Sequence, residues 1–126
     1  HVVGAVPDMR LYLRQAMVSV CPVHLKIGTQ TKVLEAMACG TPVVTTSAGN
    51  NGVEAIPSLH AYVSDSPQEM ADHINNLLCD NAKWQFFSQN GRQHVVGHFD
   101  WAVSCAQFEK TLVTTYEEKQ IKLKTV

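Results

Sequence analysis

The segment from residue 26 to residue 52, KIGTQTKVLEAMACGTPVVTTSAGNNG, combines a glycine turn with the start of a helix. Gly28 allows the backbone to turn tightly and to approach a ligand without a Cβ in the way. The first-turn N–H groups of Thr29, Gln30 and Thr31 have no acceptors inside the helix. Such N–H groups, with the positive end of the helix dipole, suit a phosphate. The spacing therefore predicts an anion-binding loop at this point.

Lys32 and Glu35 form a charged pair on the predicted helix, three residues apart. At 100° per residue they project from one side, while Val33, Leu34 and Met37 lie on another. A carboxylate one turn from the phosphate end is well placed to accept two hydrogen bonds from a ribose diol. The pair is equally consistent with a solvated surface interaction worth about 0.2–0.5 kcal/mol. Spacing alone leaves both interpretations open.

The histidines allow two further hypotheses. His24 follows an apolar segment, where it is consistent with contact to a phosphate or sugar and equally with a structural role. His94 and His98 are four residues apart, a spacing that two Zn²⁺ ligands on one helix face would have. No third ligand suggests itself, and Gly97 weakens the helix between them. Surface histidines near a helix end are therefore the favoured interpretation, and no metal site is predicted.

Short apolar runs alternate with helical patterns along the first half of the chain. Because each run is continuously hydrophobic, the pattern is typical of a parallel sheet covered on both faces by helices. The predicted class is α/β, with a Rossmann-like sheet of about four strands and a helical C-terminal part. Ligands of such sheets bind beyond the carboxyl ends of the strands, where the predicted loop lies. The predicted strands are 1–6, 17–23, 42–46 and 61–65.

Helix boundaries are indicated by glycine, proline and capping residues. Aromatic residues within these helices are interpreted as packing, either in a core or against another domain. The whole chain, 1–126, is expected to form a single, truncated domain. The predicted helices are a stretch after the cap Asp8 with Leu11, Leu13 and Ala16 at helical spacing, Thr29–Cys39 before Gly40, a stretch after Pro67, 81–99 with a break or end near Asn90-Gly91, and 99–126 with Asp100 as its cap.

Composition limits the classes of function. The chain has 126 residues, 45% apolar and 17% charged, values typical of one globular domain. A net charge of −1 with scattered Lys and Arg argues against a nucleic-acid partner. Four cysteines without a CxxC pair favour reduced thiols and a cytoplasmic location, with peripheral contact to an inner membrane left open. Because the chain begins with His1, we expect a piece of a longer protein.

The run VGAVPDMRLYLRQAMVSVCPVHLKIGTQTKVLEAMACGTPVVTT, residues 3–46, resembles the donor-binding C-terminal domain of GT-B glycosyltransferases. This glycosyltransferase group 1 set includes sucrose synthases, bacterial mannosyltransferases and polysaccharide-assembly enzymes. The sequence HFDW at 98–101, before a long last helix, is similar to the usual ending of the family. The resemblance implies that the parent protein transfers a sugar from a nucleotide-diphosphate sugar to an acceptor hydroxyl, usually with retention at the anomeric carbon.

The resemblance also implies roles for individual residues. Glu35 would bind the ribose hydroxyls, and Gly28 and Thr29 would lie against the diphosphate or sugar. Lys32 and Lys26 would assist at the phosphates, and the loop 49–54 would lie near the base or sugar. Many family members carry an acidic residue eight positions before the helix glutamate, and this chain has Ile27 there.

Further expectations concern what the chain lacks. A carbohydrate or lipid-linked acceptor would bind to a preceding domain that is outside these 126 residues. No catalytic residue and no cofactor besides the sugar nucleotide are expected here, so the fragment alone would be inactive. An uncovered sheet edge would invite homodimerisation of the isolated chain.

Two alternative functions are compatible with the sequence. One is a non-catalytic binding or interaction module that keeps a Rossmann-like half as a scaffold, since fold does not imply function. The other is a nucleotide-sugar 2-epimerase, which shares the architecture. A dinucleotide dehydrogenase is disfavoured because no G-x-G-x-x-G follows a strand.

Overall fold

A computed structural model describes residues 1–124, and the side chains of its helical end through Gln120. Residues 1–95 form one compact unit, and the residues from 96 onward form a second. The sheet, its loops and the first three helices belong to the first unit. In the described part of the chain, no helix is both long enough and apolar enough to cross a bilayer.

The sheet has three parallel strands: β1 (Ser19–Cys21), β2 (Val43–Thr45) and β3 (Tyr62–Val63). Their spatial order is β1-β2-β3, so the fully buried β2 lies between the other two strands. Val44 of β2 is opposite Val20 on one side and Tyr62 on the other. The predicted α/β class with a parallel sheet is confirmed.

The segment 1–6, predicted as a fourth strand, forms no strand in the described chain. Gly4 has a φ of +79°, which interrupts the extended conformation. Val2 is 96% exposed, so this apolar side chain is not part of the core of the first unit. A β-branched run becomes a strand only when a neighbouring strand pairs with it, and this run has no such pairing.

The described residues form five helices. The long helix α4 runs continuously through Asn90 and Gly91, so the predicted break there is wrong. A Cβ at Gly91 would lie 3.0 Å from the carbonyl oxygen of His60, and this glycine therefore serves close packing rather than helix termination. The helices are α1 (Met9–Gln15), α2 (Thr31–Ala38), α3 (Pro67–Cys79), α4 (Asn81–Phe99) and α5 (Trp101–Lys124).

The core lies between β2 and the helices α3 and α4. Val44, Met70, Leu77 and Phe87 form one buried cluster, and the Tyr62 ring lies 4.3 Å from that of Phe87. Phe87 is thus a packing residue, as the sequence predicts for the helical aromatics. This core fixes the sheet whose carboxyl edge carries the candidate site.

The C-terminal end of α2 is tied to neighbouring elements. Gly40, with a φ of +78°, follows the last turn, and the Thr41 N–H donates to the Ala36 carbonyl at 3.0 Å. These features form a Schellman motif, which confirms that the helix ends at this glycine. The Ser88 hydroxyl of α4 donates to the Gly40 carbonyl at 2.6 Å, and Arg92 donates to the Ala38 carbonyl. The helix is therefore anchored at its C-terminal end, which is the end farther from the predicted loop.

Candidate functional site

Polar residues follow each of the three strands at the carboxyl edge of the sheet. His24 and Lys26 follow β1, Ser47 follows β2 and Asp65 follows β3. Because the strands are parallel and adjacent, their carboxyl ends meet at one edge. The structure thus brings the predicted residues His24 and Lys26 to the same edge as Ser47 and Asp65.

Asp65 and Ser47 form a clasp between the ends of β2 and β3. One oxygen of the Asp65 carboxylate accepts from the Ser47 N–H at 2.9 Å, and the other accepts from the Ser47 hydroxyl at 2.6 Å. These hydrogen bonds, with smaller contributions from the charges of Lys26 and His24, hold the pKa of Asp65 below its ordinary value. The sequence alone predicted a role for neither residue, although TTS and VSD each place polar side chains at the end of a predicted strand.

Substituting Asp65 with asparagine is expected to change the pH dependence of stability. Because the pKa of Asp65 is lower in the folded state than in the unfolded state, its carboxylate stabilises the fold above about pH 4. This stabilisation is lost as the pH falls through the pKa of the folded state. Asp65→Asn should therefore be less stable at pH 7 and flatter between pH 5 and pH 3. Urea unfolding at several pH values measures this. Asp72→Asn, which removes a carboxylate on α3 that accepts from Gln68, is the control; equal flattening in both variants would contradict the assignment.

A turn at Gly28 and Thr29 packs against a second turn at Gly52. Gly28 has a φ of +57°, and a Cβ there would meet nothing within 4 Å, so the conformation and not the space requires glycine. A Cβ at Gly52, whose φ is +72°, would lie 2.6 Å from the Thr29 hydroxyl. The loop 49–54 therefore lies directly beside the predicted anion-binding loop.

Asn50 holds the shape of this second turn. Its side-chain amide donates to the Ala55 carbonyl at 2.9 Å and accepts from the Ala55 N–H at 3.0 Å. The Gly49 N–H donates to the hydroxyl of Thr46 at 3.0 Å. These local bonds fix the backbone that faces Thr29.

Helix α2 begins two residues later than predicted, with Gln30 as its N-cap. The Gln30 side chain donates to the Ile27 carbonyl at 3.1 Å and does not cap the helix. The first-turn N–H groups without intrahelical acceptors are therefore those of Thr31 and Lys32, and Thr29 lies in the loop before them. Because the Gln30 side chain makes no capping hydrogen bond, these N–H groups suit a phosphate or carboxylate ligand.

Glu35 lies in a cleft of about 390 Å³ between α1 and α2. Val33 and Met37, on the opposite side of α2, are 0% and 1% exposed, as the spacing predicts. No ion pair joins Lys32 to Glu35 in the part of the chain that the structure describes, so the surface-pair interpretation finds no support there. With a rise of about 1.5 Å per residue, Glu35 lies about 6 Å along the helix from its first residue.

Asp8 and Arg10, which also line this cleft, form an ion pair. The guanidinium of Arg10 donates to both carboxylate oxygens of Asp8, at 2.9 and 2.8 Å, and Asp8 also caps α1. The hydrogen bonds from Arg10 lower the pKa of Asp8. Glu35 and the loop residues before α2 thus line two separate clefts.

The two histidines considered as metal ligands have different environments. His94 is 6% exposed, its Nε2 lies 2.8 Å from the Val53 carbonyl oxygen, and its ring stacks on that of His60. The expectation that His94 is a surface residue is therefore wrong, while His98 is exposed. Within residues 1–124, no three His, Cys, Asp or Glu side chains are arranged to hold a metal ion.

Comparison with known proteins places these features in a family. Residues 1–80 match the family model described as glycosyl transferases group 1. Glycogen synthase of Mycobacterium tuberculosis is 32% identical over 117 residues, which cover 90% of this chain and 28% of that protein. Alpha-maltose-1-phosphate synthase of the same organism is 32% identical over 111 residues, 79% of this chain and 28% of that protein. The chain thus spans little more than a quarter of these relatives.

A solved structure shows the same fold. The crystal structure of the C-terminal domain of a glycosyl transferase group 1 family protein from Francisella tularensis superposes with a TM-score of 0.69 and 26% identity. The match covers 80% of this chain and 52% of the solved chain. The parallel sheet and its helices are accordingly part of a GT-B C-terminal domain. From the family match and the shared fold together, the chain belongs to the glycosyl transferase group 1 family.

Proposed function

We propose that this chain is the donor-binding part of a glycosyltransferase. The whole protein would move a sugar from a nucleotide-diphosphate sugar to an acceptor hydroxyl, with retention at the anomeric carbon, as is usual in the group that the sequence resembles. Membership of the glycosyl transferase group 1 family supports sugar transfer, and two of the relatives are named as synthases. The acceptor, a carbohydrate or a lipid-linked sugar, would bind to another part of the protein in the cytoplasm.

The observation that carries the proposal is the Gly28 turn, which lies at the carboxyl edge of a parallel sheet and leads into an uncapped helix. Thr31 and Lys32 would offer their N–H groups to the diphosphate, while Gly28 and Thr29 lie beside it. The ammonium group of Lys26 and the imidazole of His24 lie at the same edge.

Glu35 would accept hydrogen bonds from the ribose hydroxyls of the sugar nucleotide. Its cleft between α1 and α2 is large enough for a nucleoside, since ligand pockets commonly measure about 300–1,000 Å³. The backbone N–H groups and the side chains of Lys32, Lys26 and His24 would stabilise negative charge that develops on the departing nucleotide diphosphate. This chain supplies no catalytic base in the proposal, and no cofactor besides the sugar nucleotide is required.

Titration of UDP, GDP and ADP into the chain tests the proposal. One diphosphate is expected to bind with a Kd of about 1 mM or tighter, and its nucleoside at least about tenfold more weakly, because the phosphates bind at the helix end. Calorimetry measures the affinity, and amide chemical shifts of residues 28–32 report the location. Failure of all three diphosphates to bind would instead favour a non-catalytic scaffold.

A further inference from the structure

The sequence contains the dipeptide Asn-Gly twice, at 51–52 and at 90–91. An asparagine before a glycine is prone to lose its side-chain amide, because glycine has no side chain to hinder attack by its own backbone nitrogen. That nitrogen, after giving its proton to a base, forms a bond to the side-chain carbonyl carbon, and the bond to the amide nitrogen breaks with release of ammonia. Water then opens the cyclic imide to aspartate or isoaspartate. The surroundings of each dipeptide decide whether the folded chain permits this reaction.

The dipeptide at 51–52 is open to the reaction. Asn51 is exposed, and its side chain forms no hydrogen bond with any group that the structure describes. The Gly52 N–H lies in a turn and donates to no acceptor among the described residues 1–124. The preceding Asn50, in contrast, is held by two hydrogen bonds to Ala55. The amide that is attacked and the nitrogen that attacks it are therefore both uncommitted at 51–52.

The dipeptide at 90–91 has the same residue types in a protected environment. Gly91 is buried inside α4, where each backbone N–H donates to the carbonyl four residues before it. The side-chain amide of Asn90 donates to the Phe86 carbonyl at 2.7 Å. Closing the imide here requires both hydrogen bonds to break and this part of the helix to open.

We infer that Asn51 is a site of spontaneous deamidation in the folded protein, and that the carboxylate it produces weakens binding at the turn of Gly28 and Thr29. Gly52 lies against that turn, since a Cβ on it would be 2.6 Å from the Thr29 hydroxyl and 3.1 Å from the Thr29 Cα. Isoaspartate lengthens the main chain by a methylene group at this contact, and both products add a negative charge. A negative charge beside the turn opposes binding of a diphosphate. The effect on binding rests on the proposed function, whereas the modification does not.

Ageing of the chain at mildly alkaline pH tests the modification. Peptide mass spectrometry follows the change from amide to carboxyl at both dipeptides, and methylation by an isoaspartate methyltransferase identifies the isoaspartate. In the folded chain we expect Asn51 to react at least about tenfold faster than Asn90, because Asn90 reacts only when the helix opens. In guanidinium chloride the two rates should agree within about threefold, since neither dipeptide then has a fixed structure.

Calorimetry with the diphosphate that binds the fresh chain measures the consequence. Aged protein in which Asn51 is converted should bind at least about threefold more weakly, and Asn51→Asp, which reproduces one product, should bind more weakly as well. Asn51→Gln is the matched control, because glutamine must close a larger ring and therefore reacts slowly. Its aged and fresh samples should have the same affinity.

The outcomes separate this inference from the proposed function. If Asn51 reacts no faster than Asn90 in the folded chain, the inference is overturned and the proposed function stands. Conversion of Asn51 with unchanged affinity for the diphosphate overturns the effect on binding. If no diphosphate binds the fresh chain, the proposed function and the effect on binding fail together, and the two rates still decide the modification.

Discussion

Substitution of Gly49 by alanine is expected to lower the free energy of unfolding by about 3 kcal/mol. A Cβ at this position would overlap the Thr45 hydroxyl and lie 3.1 Å from the Cys21 carbonyl oxygen. The Thr45 hydroxyl now donates to that same carbonyl at 2.9 Å, in a fully buried environment. The added methyl group would therefore force apart β1 and β2 and break a buried hydrogen bond between them.

Urea denaturation and a thermal scan measure this effect, and a decrease in Tm of about 10 °C is expected. Gly97→Ala provides the matched control. A Cβ at Gly97 would meet nothing within 4 Å, and the residue lies inside α4, where alanine is favoured over glycine by up to about 1 kcal/mol. If the two variants were equally stable, the close approach at Gly49 would not be part of the folded structure.

Substitution of Glu35 by glutamine is expected to weaken binding of the nucleotide diphosphate about tenfold to a hundredfold. Hydrogen bonds from ribose hydroxyls to a carboxylate are worth about 1.5–3 kcal/mol, and the neutral amide accepts more weakly. Stability should change little, because the Glu35 side chain is exposed and forms no ion pair among the described residues. Calorimetric titration of both proteins measures the difference.

The ribose assignment is tested further with 2′,3′-dideoxy nucleotides. The unsubstituted chain should lose affinity when the ribose hydroxyls are removed, whereas Glu35→Gln should lose much less, since the two changes remove the same contact. Glu109→Gln, an exposed glutamate of α5, is the control and should bind as the unsubstituted chain does. If removing the ribose hydroxyls cost the same affinity in both proteins, Glu35 would not be the residue that binds the ribose.

Local chemistry was enough to predict the loop and helix that carry the candidate site. Gly28 has the positive φ that its position suggested, and Val33 and Met37 are buried as the helical spacing requires. The end of α2 at Gly40 follows from the same local rules. These features depend on residues that are close in sequence, which is why the pattern alone predicts them.

The features that the sequence did not predict depend on partners distant along the chain. Residues 1–6 have strand composition but no paired neighbour, and Gly91 looks like a helix breaker until it meets the His60 carbonyl. The clasp of Asp65 on Ser47 joins residues 18 apart and exists only because their strands are adjacent. Spacing within one segment contains no information about such contacts.

The anchoring of α2 has an evolutionary consequence. Its C-terminal end is fixed by Ser88, Arg92 and the turn at Gly40, whereas the segment before its N-terminal end presents exposed side chains at 24–27. Under the proposed function, mutations at those exposed positions would alter donor binding with little effect on folding, because surface substitutions usually change stability by less than about 0.5 kcal/mol. Descendants of such a protein could therefore diversify in substrate while the scaffold drifts slowly. This separation makes the 24–27 segment the natural target for a selection library.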